Sequence, residues 1–169
     1  MSGVHLHLLV NHAPVFGSLF ALALLAASFI WAPDVLRRTA LLVLVFTAIS
    51  GVISDLTGEP AEDAIRGFPG VRREVIHEHE ELAEKSFIVA SVIGVFALGA
   101  LARWRHTPIP QGVALGALAG AAVVSGMMAY TALLGGRVRH TEVRPGAVEA
   151  DATTIEPRRP RPGEPRPAP

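Results

Sequence analysis

Apolar residues gather in four runs, at about residues 10–31, 39–56, 87–102 and 112–134, and polar residues concentrate between them. At 1.5 Å of rise per residue, a run of about 18 residues is a helix of about 27 Å, close to the thickness of a bilayer's hydrocarbon core. The pattern therefore predicts an all-α chain, a polytopic four-helix transmembrane bundle.

The breaks have local causes. Asn11, His12 and Pro14 stand at the entrance of the first run, where proline's missing amide hydrogen suits a first helical turn. Trp31 closes that run as an interfacial anchor, and Pro33-Asp34 breaks the chain before Arg37-Arg38. The second run stops at Thr57-Gly58-Glu59-Pro60, and Pro60 is expected to open a short separate helix to Ile65. Gly67-Phe68-Pro69-Gly70 is a turn signal, after which no breaker occurs from Val71 to Ala102. A helix over that length is about 48 Å long, so its first, amphipathic part is predicted to protrude into water before the third span. Trp104 marks the interface again, and Pro108 and Pro110 stiffen the last connection.

Two stripes of small residues predict close helix packing. Ser50, Ser54 and Gly58 recur every four residues in the second run, and Gly112, Gly116 and Gly120 form overlapping GxxxG units in the fourth. The first stripe is also compatible with small residues merely tolerated near a helix end. The second can receive a neighbour within the bundle or another chain.

Composition supports a lipid environment: half of the 169 residues are hydrophobic and 18% are charged. Fifteen basic and fifteen acidic residues balance, which gives no reason to expect nucleic acid as a partner. The absence of cysteine excludes disulfides, thiolate metal sites and c-type haem attachment. No Lys or Arg precedes the first run, which is read as a retained helix and not a cleaved export signal. Residues 1–140 form the expected membrane domain; residues 141–169, rich in Pro, Arg and Glu, are expected to be a disordered or extended tail. Arg158, Arg159, Arg161 and Arg166 are read as solvated, with anionic lipid or an acidic partner as the alternative.

Four spans place both termini and the 59–85 connection on one side. That connection carries eight acidic and four basic residues, a net charge of −4, while Arg137, Arg139 and Arg144 follow the last run. Counting nearby basic residues favours cytoplasmic termini; the compact loops holding Arg37, Arg38, Arg103 and Arg105 favour the reverse. The expected placement is the bacterial inner membrane, with both termini cytoplasmic.

Of the seven histidines, only His106 lies on the side opposite the termini. Helical spacing aligns His77 with Glu81 and Glu84, while His12 stands at a helix entrance. His12, His77 and Glu81 are thus the candidate ligands for haem b or a divalent metal, provided the turn at Gly67–Gly70 brings the last two back toward the first. Ordinary interfacial histidines are the competing interpretation. Glu74-x-x-His77 is a lone pair, where a di-iron bundle needs two and further glutamates. His77 and Glu81 are the best acid-base pair, but no phosphate loop, nucleotide fingerprint or serine elbow accompanies them, and no catalytic residue is assigned. A transporter has weak support, since no charge occupies the middle of a span.

The opening HLHLLVNHAPVFG, the GEPAE at residues 58–62 and the HEHE at residues 77–80 resemble an uncharacterised group of bacterial four-helix membrane proteins, over about residues 4–140. The resemblance implies a membrane protein and no particular activity. The expected function is a non-enzymatic structural or accessory subunit that contacts lipid and other membrane subunits, or copies of itself. The alternative is a small metal- or haem-binding membrane redox protein.

Overall fold

In the computed structural model, residues 3–156 are described. Five helices form: α1 Gly3–Val10, α2 Ala13–Ala27, α3 Pro33–Ile65, α4 Arg73–Arg103 and α5 Gln111–Arg139, followed by 3₁₀ turns at Thr141–Val143 and Glu149–Ala152. Taking α1 and α2 together, four helical segments are long and apolar enough to cross a membrane. The chain is a four-span, all-α membrane bundle.

Helices α2, α3, α4 and α5 make a ring in which each packs on the next and α5 returns to α2. The middle of the ring is built from Ala21, Leu25, Ala40, Leu41, Leu44, Ala97, Ala100, Ala117 and Ala121. So many alanines bring the backbones close, and glycines bring them closer. A methyl at Gly94 would overlap that of Ala48, and one at Gly120 would stand 2.6 Å from Ile93 Cδ1.

The helix of the N-terminal span is interrupted, a feature the hydrophobic run did not predict. Its helix begins at Gly3, and α1 is separated from α2 by a turn at Asn11-His12. Asn11 N–H still donates to His7 O at 2.8 Å and Phe16 N–H to His12 O at 3.1 Å, but Pro14 has no hydrogen to donate to the Val10 carbonyl. Beyond the interruption α1 continues along α3, with Gly3 against the Pro60 ring.

Helix α3 is also longer than expected. It starts at Pro33, after Ala32 in a left-handed conformation (φ 38°), and runs through Pro60 instead of ending there. One interior proline removes one helical hydrogen bond without preventing continuation when packing supports both sides. Here Gly3 of α1 lies against one side of the proline, which stays exposed on the other, and beyond it Arg66 binds the Glu62 carboxylate at 2.6 Å. That carboxylate raises the arginine's pKa. With 33, 31 and 29 residues, α3, α4 and α5 are each longer than the roughly 20 residues a bilayer core needs. The end of α3, the start of α4 and the end of α5 lie together at one end of the bundle.

At that end the Gly67–Gly70 turn forms as expected, with φ of 81° and 77° at its two glycines. The stretch after α5, expected to be disordered or extended, turns back as far as residue 156 against the Gly67–Gly70 turn and the start of α4. Gly70 N–H donates to Thr154 O at 2.9 Å, and the Arg73 amide donates to the Glu156 carboxylate at 2.7 Å. Buried Arg144 fastens the contact by donating to Arg137 O at 2.7 Å, Val138 O at 3.0 Å and Gly70 O at 2.7 Å. Composition misleads here because backbone carbonyls left over at a helix end and a turn, not apolar burial, hold the segment. Arg158, Arg159, Arg161 and Arg166 lie outside the described residues.

The opposite end is held by the basic pair of the first short loop. Arg37 donates to Ile109 O at 2.8 Å, and Arg38 to Trp104 O at 2.9 Å and Thr107 O at 2.7 Å. Asp34 accepts from Arg38 and from the Ile109 amide, at 2.8 and 2.7 Å. Arg37 and Arg38 thus bind the α4–α5 connection, in addition to contributing charge at that interface.

Candidate functional site

The three ligand candidates from sequence lie on the surface. His12 is exposed at the α1–α2 turn, and His77 is exposed on α4. Glu81 pairs with Lys85 at 2.8 Å, one turn along the same helix. Among the described residues no group of three or more His, Cys, Asp or Glu side chains is placed to hold a metal ion.

Two other histidines turn inward. His7 Nδ1 lies 3.1 Å from Ser54 O and 3.2 Å from Thr57 Oγ1, joining α1 to α3. His79 Nδ1 lies 3.0 Å from Thr131 O, joining α4 to α5. A carbonyl accepts only, so both rings carry their proton on Nδ1 and their lone pair on Nε2. Ser86 Oγ meets Thr131 Oγ1 at 3.0 Å, extending the layer. Gly135 makes room for the second imidazole: a methyl there would stand 3.0 Å from His79 Cε1. His7 and His79 are within electrostatic range of each other.

A sequence signal for these two residues exists. Counting back along the buried face of the first span, Leu25, Ala21, Ser18 and Pro14 lead at intervals of four and three to Asn11 and His7. On α4, Ala97, Ala90 and Ser86 are followed at the next heptad step by His79, three residues from buried Ile76. His77 falls off that stripe. The Glu-rich neighbourhood that makes His77 conspicuous in the sequence lies on the outward face of α4.

The small residues divide by role. Ser50 is buried and donates to Thr47 O at 3.0 Å; Ser54 supplies the carbonyl that receives His7; Gly58 lies beside the His7 ring. Gly120 packs against Ile93 inside the bundle, Gly116 stands next to Phe96 on an exposed face, and a methyl at Gly112 would meet nothing within 4 Å. Gly17, Gly94 and Gly135, which no stripe singled out, sit at closer approaches than Gly116: a methyl at Gly17 would stand 2.5 Å from Thr47 Oγ1.

The outer surface differs between helices. Helix α3 turns Leu42, Phe46, Ile49 and Leu56 outward, and α4 turns out Ile88, Val92, Val95 and Leu98. Helix α5 instead exposes Gly112, Gly116, Ala119, Ala122, Gly126 and Ala129, between the larger Leu115, Val123 and Tyr130. An apolar groove of about 690 Å³ runs between α2 and α3 past Phe16, Phe20, Val43 and Phe46. Fold and surface define a small polytopic α-helical membrane protein. No family model, curated protein or solved structure matches the chain.

Proposed function

We propose that the chain is a non-enzymatic accessory subunit that docks on another membrane protein, or on a second copy of itself, through the outer face of α5. One observation carries this reading: α5 offers lipid a relief of glycines and alanines where α3 and α4 offer long aliphatic and aromatic side chains. Acyl chains and leucines are equally apolar, so hydrophobicity does not drive helices together within a bilayer. Close backbone approach does, and small residues permit it. Gly112, Gly126 and Gly136 have open space where a side chain would be, so nothing within the described bundle uses that approach. The resemblance over residues 4–140 supports the bacterial cell membrane as the location. The basic residues near the termini-side ends support cytoplasmic termini.

Gly126→Leu tests the docking face. The expected variant has an unchanged fold and a smaller native assembly after gentle extraction. A wild type that is monomeric in its native membrane, or an assembly indifferent to Gly126→Leu, contradicts the proposal. The second reading, a small metal- or haem-binding redox protein, draws support from one different observation: the inward-turned His7 and His79.

A further inference from the structure

We infer that His7 and His79 are the two axial ligands of a haem-type iron centre held at the termini-side end of the bundle. The inference deepens the second reading above and is independent of the α5 face. Both imidazoles have the arrangement that metal-binding histidines use, in which one ring nitrogen donates to a fixed acceptor and leaves the other as a basic lone pair. Ser54 O and Thr131 O are the fixed acceptors, at 3.1 and 3.0 Å from the Nδ1 atoms, and neither Nε2 makes a hydrogen bond among the described residues. The acceptors belong to α3 and α5, so each ring is oriented by a helix other than its own.

The two rings approach from separate helices. Helix α1 packs on α3 without substantial contact to α4, and His79 rises from α4 against Gly135 of α5. Gly135 leaves the ring its room at that point: a methyl there would stand 3.0 Å from Cε1 and 3.3 Å from Nδ1, so the ring would have to give by a few tenths of an ångström.

The number of ligands selects the class of metal. A structural zinc site takes four protein ligands and a catalytic one takes three, whereas no group of three suitable side chains exists among the described residues. A metal held here by two imidazoles must bring its remaining ligands with it. Iron in a porphyrin does so, since the macrocycle fills four positions and leaves two axial ones for neutral imidazole. The lack of cysteine restricts the group to a non-covalently bound haem. The level in the bundle also suits an apolar plate with polar edges: below the histidines lies the alanine-rich core, and above them the charged turns carrying Glu62, Arg66 and Arg73.

The test uses the full chain without a histidine tag, reconstituted in lipid nanodiscs and titrated with haemin, with copper and zinc ions in parallel. The expected result is saturable haemin binding with the absorbance of a low-spin bis-imidazole complex. It is lost in His7→Asn and in His79→Asn and retained in His12→Ala and His77→Ala. Asparagine keeps an N–H donor for the carbonyl while removing the Nε2 ligand, and helical circular dichroism confirms that each variant is folded. The inference is overturned if haemin fails to bind, if binding survives both asparagine variants, or if only a bare metal ion binds. An intact native assembly with haem-free protein overturns it too, while leaving the accessory-subunit reading in place.

Discussion

Replacing Gly94 with alanine probes the closest approach of α3 and α4. The added methyl would overlap that of Ala48, while Leu44 O at 3.6 Å and Ala48 Cα at 3.8 Å would be in ordinary contact, so the obstruction is the Ala48 methyl, held on a helix backbone that cannot rotate it away. Carbon atoms in ordinary contact stand about 3.5–4.0 Å apart, and the helices must therefore separate by roughly 1 Å. Separation loosens the contacts of Leu41, Leu44 and Ala97 in the middle of the ring. Overpacking of this kind costs about 1–3 kcal/mol, offset by up to about 1 kcal/mol from exchanging glycine for alanine within a helix. The net expectation is a loss of about 1–2 kcal/mol in denaturant unfolding in mixed micelles. Gly120→Ala meets chiefly the movable end of Ile93 and should lose about 1 kcal/mol or less, while Gly112→Ala meets nothing and should be neutral or slightly stabilising. Ala48→Gly introduced into Gly94→Ala removes the competing methyl, and a coupling of about 1–2 kcal/mol is expected. Equal stability of Gly94→Ala and Gly112→Ala, or no coupling to residue 48, refutes the packing assigned to α3 and α4.

Arg144→Ala removes donors to Arg137 O, Val138 O and Gly70 O, and should make residues 140–156 susceptible to protease while costing about 1–3 kcal/mol; unchanged proteolysis contradicts the fold-back. Topology is read with single cysteines in this cysteine-free chain: Glu81→Cys and Glu142→Cys should label together from the cytoplasm, and Arg105→Cys from the other side. Labelling of all three from one side contradicts the four-span path, whereas a complete reversal rejects only the orientation. The Glu81 substitution should itself be nearly silent, because its pair with Lys85 is exposed and screened by solvent.

The number of spans was legible because a bilayer imposes a length on apolar runs, and Pro33, Gly67–Gly70, Pro108 and Pro110 punctuate the connections as local chemistry requires. Pro60 misled because a proline's effect depends on what packs around it, and α1 could not be foreseen lying there. The fold-back of residues 141–156 escaped composition for a similar reason: Arg144 binds main-chain carbonyls, which leave no residue-type signature. At the candidate site, helical phase carried more information than residue clustering. His77 and Glu81 form a tidy pair in sequence, yet the inward stripe that passes through Ala97, Ala90 and Ser86 reaches His79 instead. Glycines behaved alike. The GxxxG pattern marks a smooth face but not its occupant: Gly120 faces Ile93 while Gly112 faces open space.

The most direct measurement of the central claim is photo-crosslinking in native membranes, with a photoreactive amino acid placed at Gly126 of α5 or, for comparison, at Val95 of α4. Both positions are exposed, but only the first belongs to the small-residue face. The account predicts a discrete protein adduct from position 126, abolished by a neighbouring Gly112→Leu and Ala119→Leu pair, and lipid adducts alone from position 95. Lipid adducts alone from both positions would contradict it.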